Sequence, residues 1–116
     1  MKALVTAEMD ASGYLEIKAY YAATEGSWDI AKMEAHVSKS GHVLFKSTCH
    51  TEQKQRYDAC PEVLEQIPVS VLRAQARLCW LFMGVLREIN TMEHPLDLKA
   101  LQGRYDEQVW YLGDVM

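Results

Sequence analysis

Cys49, His50 and Cys60, with His36 or His42 not far away in the chain, have the residue types that hold a soft metal ion. Structural zinc sites bring two ligands from one tight turn, as in a C-x-x-C knuckle, and no such pair occurs here. If Cys49 and His50 lie in a strand, their side chains leave opposite faces and cannot share one ion. Buried thiols beside surface imidazoles are the simpler expectation, with no metal and no other cofactor. The cysteine count of three is odd and matches no disulfide framework. With Cys79 inside an apolar run, reduced and inert thiols are expected, as in a cytoplasmic protein.

Other chemistry is equally sparse. There is no G-x-S-x-G elbow, no cysteine in a recognisable catalytic setting, and the glycines are scattered singly, so no phosphate-cradling loop is formed. With sixteen acidic residues, accidental carboxylate pairs are inevitable, whereas glycosidase-type chemistry needs two carboxyls at a defined separation across a cleft. No catalytic residue is singled out. A non-enzymatic protein is expected, and a small enzyme whose site assembles only in three dimensions is the alternative from a different class.

Two constellations suit binding. Lys39, Lys46, Lys54 and Arg56, against Glu52 alone, make a basic stretch that could contact nucleic acid, with Tyr14, Tyr20 and Tyr21 as stacking rings. Against this stands a net charge of −4 and a pI near 5.5, where dedicated nucleic-acid binders are usually basic. From Glu88 onward Lys99 and Arg104 face Glu93, Asp97, Asp106, Glu107 and Asp114, so the charge is laid out as a dipole. The second constellation is Arg73, Arg77, Trp80 and Gly84, which recur at steps of three or four and share one stripe of a helix. Tryptophan and arginine are the types that most often anchor protein interfaces, and a glycine lets another backbone approach. The competing local role is Arg77 covering the Trp80 ring in a cation–π contact.

The elements that must carry these residues are legible from periodicity. Leu15, Ile17, Ala19 and Tyr21 alternate with Glu16, Lys18 and Tyr20, and Ala31, Met33, Ala35 and Val37 alternate with Lys32, Glu34, His36 and Ser38. Both have the period of a half-buried strand, so Ile17 and Met33 should face a core that Lys18 and Lys32 face away from. Ala3, Val5, Ala7 and Met9 form a weaker set, and His42–Thr48 a fourth. Asp10–Gly13, Thr24–Ser27 and Ser38–Gly41 read as the connecting turns. After Cys49 the pattern becomes helical: Pro61–Ile67, then Val69 to about Asn90, then a last helix opened by Pro95 and carrying Leu98, Leu101, Tyr105 and Leu112, with Gly113 as its stop. The resulting expectation is an α+β fold over 1–116 as a single domain, with a four-stranded antiparallel meander (1–49) packed on two or three helices (50–116).

Within the long helix, Leu78–Leu86 contains no charged residue and is apolar almost all round. It is far short of the ~20 residues that span a membrane, and the Met1–Glu8 segment lacks the apolar core of a signal peptide. Leu78, Phe82, Val85 and Leu86 should pack inside, with Trp80 accessible to a second chain. The function expected is protein–protein interaction, as a homodimer or a tight hetero-complex. That profile is compatible with a small phage or mobile-element inhibitor of a bacterial defence complex, of the anti-CRISPR type, whose partner is a host nuclease or effector complex. An RNA- or DNA-binding accessory protein using the 39–56 stretch is the alternative.

Overall fold

Antiparallel pairing of alternating segments builds the molecule, and a computed structural model describes it for residues 2–22, 30–50 and 69–113. The strands are β1 (Lys2–Met9), β2 (Leu15–Ala22), β3 (Ile30–Val37), β4 (Val43–His50) and β5 (Gln108–Tyr111), and the helices are α1 (Val69–Asn90) and α2 (Leu98–Tyr105). All five strands form one antiparallel sheet in the order β4-β3-β2-β1-β5. The N-terminal strands pack against the C-terminal helices, an α+β arrangement. The Thr24–Ser27 turn, Trp28, Cys60 and the Pro61–Ile67 helix lie outside the described residues.

Register follows the alternation. Ile17 stands opposite Ala7 on one side and Ala35 on the other, and Ala19 opposite Val5 and Met33. Leu15, Ile17, Ala19, Ala31, Met33, Ala35 and Val37 are all buried, while Lys18 and Lys32 belong to the open face. Both described hairpin turns depend on glycine in the left-handed region, Gly13 at φ 87° and Gly41 at φ 83°. In the first turn Asp10 Oδ1 accepts from the Ser12 amide, the Ser12 hydroxyl and the Tyr14 amide, closing an Asx turn. The second is fastened from outside. Leu96 N–H donates to Lys39 C=O at 2.8 Å, and His94 lies against Gly41.

α1 lies over β2, β3 and β4, and α2 over β1 and β2. Ala74, Leu78, Phe82, Val85 and Ile89 form the buried stripe of α1, at the three-and-four spacing of an amphipathic helix. Leu86 is half-buried against the same core. Phe82 is fully buried and meets Phe45 of β4 at 5.7 Å between ring centroids and Trp110 of β5 at 6.0 Å. Since β4 and β5 are opposite ends of the sheet, the sheet curls around this ring. Alanines at 3, 7, 19, 31 and 35 on the inner face leave room for it.

Three expectations fail. The last helix does not begin at Pro95. It begins at Leu98, where Asp97 caps it by accepting from Ala100 N–H at 3.1 Å, a better N-terminal signal than proline. Nor does it run to Gly113. It ends at Tyr105, Asp106 is extended and Glu107 takes φ 60°, after which Gln108–Tyr111 form a fifth strand against β1. Leu112 is in phase with Tyr105 by coincidence, and β-forming Val109, Trp110 and Tyr111 gain more by pairing with β1. Finally, Met9, at the turn end of β1, is 44% exposed and lines an open groove with Leu98, Lys99 and Gln102 of α2 in place of being packed in the core.

Candidate interaction surface

The outer side of α1 carries the stripe singled out in the sequence. Arg73, Arg77, Trp80 and Gly84 are all exposed, together with Leu72, Met83 and Arg87. Trp80 is 81% exposed, the largest fraction among the exposed large apolar residues described. One face of this helix is therefore enough to fill the core, and the apolar residues left over point outward. Open space surrounds the Cα of Gly84. Arg77 does not cover the Trp80 ring. Its Nη1 stands 3.3 Å from where a Cβ on Gly113 would be, and the described cation–π contact is Arg104 over Tyr105.

That position of Arg77 joins the helix to the outer strand. Arg77, Trp80, Leu81, Tyr111, Leu112 and Gly113 line a shallow groove of ≈ 220 Å³ between α1 and the end of β5. On the open face of the sheet Val109 and Tyr111 are 58% and 62% exposed, Val109 opposite Leu4, which is itself exposed opposite Tyr20, and Tyr111 opposite Lys2. An apolar surface thus runs from Trp80 across the β5 edge to Leu4 and Tyr20. Sequence reasoning found its helical half and missed β5, whose pairing with β1 joins residues about a hundred positions apart.

Among the described residues, the members of the basic stretch do not gather into a patch. Lys39 is at a turn tip, Lys46 stands opposite Glu34, and Lys54 and Arg56 lie outside the described residues. Lys18, Lys32, Glu16 and Glu34 alternate in sign around Lys46 on the open face. Tyr20 and Tyr21 have opposite parity, so they cannot form one stacking platform.

Of the metal candidates, Cys49 and His50 occupy consecutive positions of β4, opposite parities of the ladder. Cys79 is a free, half-buried thiol. A different group comes together on the open face: ligand atoms of Glu16, Glu34 and His36 lie within 4.8 Å of one another. His36 Nδ1 is 3.3 Å from Asp10 Oδ2, and Lys18 Nζ is 2.5 Å from Glu16. With one lysine and one imidazole among three carboxylates, the group keeps a net negative charge. Asp10 is held well below the usual carboxylate range, at about 2, chiefly by the Ser12 hydroxyl; desolvation, the next effect in size, opposes this, and the Tyr14 amide, His36 and the Ser12 amide add to the lowering. The sequence contained no hint of this group, because cross-strand neighbours appear only once register is set.

No known protein family, curated protein or solved structure matches the chain. Its surfaces must be interpreted on their own chemistry. The groove of ≈ 530 Å³ beside α2 holds Glu88, Arg104 and Tyr105. Glu88 accepts from the Arg104 guanidinium and from the Tyr105 hydroxyl, so these groups serve one another. Burial and the Glu88 charge push the Tyr105 phenol up. Among the described residues no helix is long and apolar enough to cross a membrane.

Proposed function

We propose that this chain is a non-enzymatic interaction protein, binding a protein partner through the outer side of α1 and the adjoining edge of β5. The single observation behind the proposal is Trp80, 81% exposed on a helix that already fills its core. A large aromatic ring left in water gives up the burial that stabilises it elsewhere, and such rings are the usual energetic centres of interfaces. Arg73, Arg77 and Gly84 supply the rest of the contact, with charge at its rim and room for a second backbone. An inhibitor of a bacterial defence complex would need no more than a surface of this kind, and that assignment is part of the proposal only as a partner to be tested.

Comparing Trp80→Ala with Phe82→Ala tests it. Truncating the exposed ring should change stability by no more than about 0.5 kcal/mol. It should weaken binding by about 2 kcal/mol or more, roughly thirtyfold in Kd. Association unaffected by Trp80→Ala, or a loss of stability equal to that of Phe82→Ala, would refute the proposal.

A further inference from the structure

We infer that the occupant of the outer side of α1 is an acidic amphipathic helix of another protein, whose carboxylates stand about three turns apart at the two ends of an apolar stripe. The inference rests on the interaction function proposed above and names the partner by its chemistry.

Arg77, Trp80, Gly84 and Arg87 follow one another at steps of three, four and three, so they lie in one line along α1. All four are exposed, and Met83 is exposed beside them. At a rise of about 1.5 Å per residue, the two arginines bracket about 15 Å of helix with the Trp80 ring between them. The line contains no acidic residue. Glu88 is the one carboxylate in α1, and it accepts from the Arg104 guanidinium and the Tyr105 hydroxyl of α2. Among the described ion pairs none involves Arg77 or Arg87. On a chain of net charge −4 this strip is a local inversion of sign. Its complement is an apolar stripe with a carboxylate at each end.

The form of the partner follows from the element that carries the strip. The backbone of α1 is paired within the helix, so it offers side chains only and cannot take on an added strand. A second helix meets those side chains in kind, its own ridge running beside the Trp80–Gly84 line. Open space at Gly84 admits a partner side chain at the point of closest approach. A second copy of α1 does not fit. Laid antiparallel with Trp80 across from Gly84, it brings Arg77 onto Arg87, and laid parallel it stacks each arginine on its own kind. Nor does the strip suit a nucleic acid. Phosphate binding needs cations along the track of the backbone, whereas here two cations end an apolar strip on an acidic protein.

The test uses two end-blocked helical peptides of about 18 residues. Each has leucines at three-and-four spacing between two end charges about ten residues apart, glutamates in one peptide and lysines in the other. Fluorescence anisotropy with the full chain at low ionic strength reads the affinities, and melting curves serve as a control for folding. The glutamate peptide should bind at least about tenfold tighter than the lysine peptide. Arg77→Glu combined with Arg87→Glu, two changes at exposed positions, should reverse that preference. Trp80→Ala should weaken the glutamate peptide about thirtyfold. Equal affinity for the two peptides, binding of neither, or a preference that survives the double reversal would overturn the inference. So would a single-stranded oligonucleotide that displaces the glutamate peptide, or Trp80-dependent dimerisation of the wild type in sedimentation equilibrium. The outcomes also separate the two proposals. A Trp80-dependent preference for the lysine peptide removes only the acidic partner, whereas peptide binding indifferent to Trp80→Ala removes the interaction surface as well.

Discussion

Phe82 ties the two ends of the sheet together, and its truncation should be the costliest single change on α1. The side chain is fully buried and tilted against Phe45 at 5.7 Å and Trp110 at 6.0 Å. Cutting a buried phenylalanine to alanine costs about 3–5 kcal/mol in transfer and cavity terms. Each aromatic contact is worth about 0.5–1.5 kcal/mol beyond its area. Phe82 is fully buried between the Phe45 and Trp110 rings on an alanine-lined sheet whose small side chains cannot fill the gap, so Phe82→Ala should fall near the top of that range, about 4–5 kcal/mol. Against a total of about 5–15 kcal/mol for an ordinary domain, the variant is then barely folded or unfolded. Phe82→Leu keeps most of the volume and loses chiefly the ring contacts, so it should cost about 1–2 kcal/mol. Urea titrations of both variants measure the totals. Amide exchange in the leucine variant adds a local test, since protection of β5 should fall more than that of β2 if Trp110 is what Phe82 holds. A loss below about 2 kcal/mol for the alanine variant, or uniform exchange in the leucine variant, would refute the role of Phe82 as the link between the edges.

Asp10 should make the fold sensitive to acid. Its carboxyl titrates near 2 when folded against an ordinary 3.8, so its contribution is complete above pH 4 and disappears as the pH falls toward 2; melting curves of wild type and Asp10→Asn should converge over that window, and curves that stay parallel would exclude it. Gly41→Ala combines φ 83° with a Cβ that would collide with His94 Nε2, and should cost about 1–3 kcal/mol in thermal denaturation. Adding His94→Ala should return only the part due to the collision. Asp106→Ala leaves the Ala7 N–H, whose partner at 2.9 Å is Asp106 Oδ1, without an acceptor. A cost of about 1–3 kcal/mol, read by urea titration, is expected, and an unchanged midpoint would mean that water replaces the carboxylate.

Strands and turns were legible because each rests on neighbours in sequence. Ile17 and Met33 alternate with lysines and glutamates, and Gly13 and Gly41 sit where hairpins need positive φ. α1 was legible to its ends for the same reason. Trp80 could be placed on the outside because Arg73, Arg77 and Gly84 mark one side of the helical wheel. The end of α2 was not legible: Asp106 and Glu107 break the helix with no glycine or proline to signal it, and Leu112 continued the spacing by chance. β5 is only four residues long and owes its conformation to β1, far away in sequence. The gathering of Glu16, Glu34 and His36 needed the register of β2 on β3, and the adjacency of Arg77 to Gly113 needed the whole tertiary fold.

The completion of β1 has a consequence for how the chain reaches its final form. β5 pairs with Lys2–Val5 only, and beyond it Ala7 is served by side chains, its N–H by Asp106 and its C=O by Gln102 at 3.2 Å. The strand and both side chains belong to the stretch 102–111. Until that stretch is synthesised and in place, an eight-residue strand lies bare along one margin of an apolar, alanine-lined sheet, the kind of intermediate that aggregates. Its arrival replaces that long margin with one of four residues. Folding of this protein therefore ends where its vulnerability to misassembly ends, and a chain interrupted before Gln102 should be sticky in a way the finished one is not.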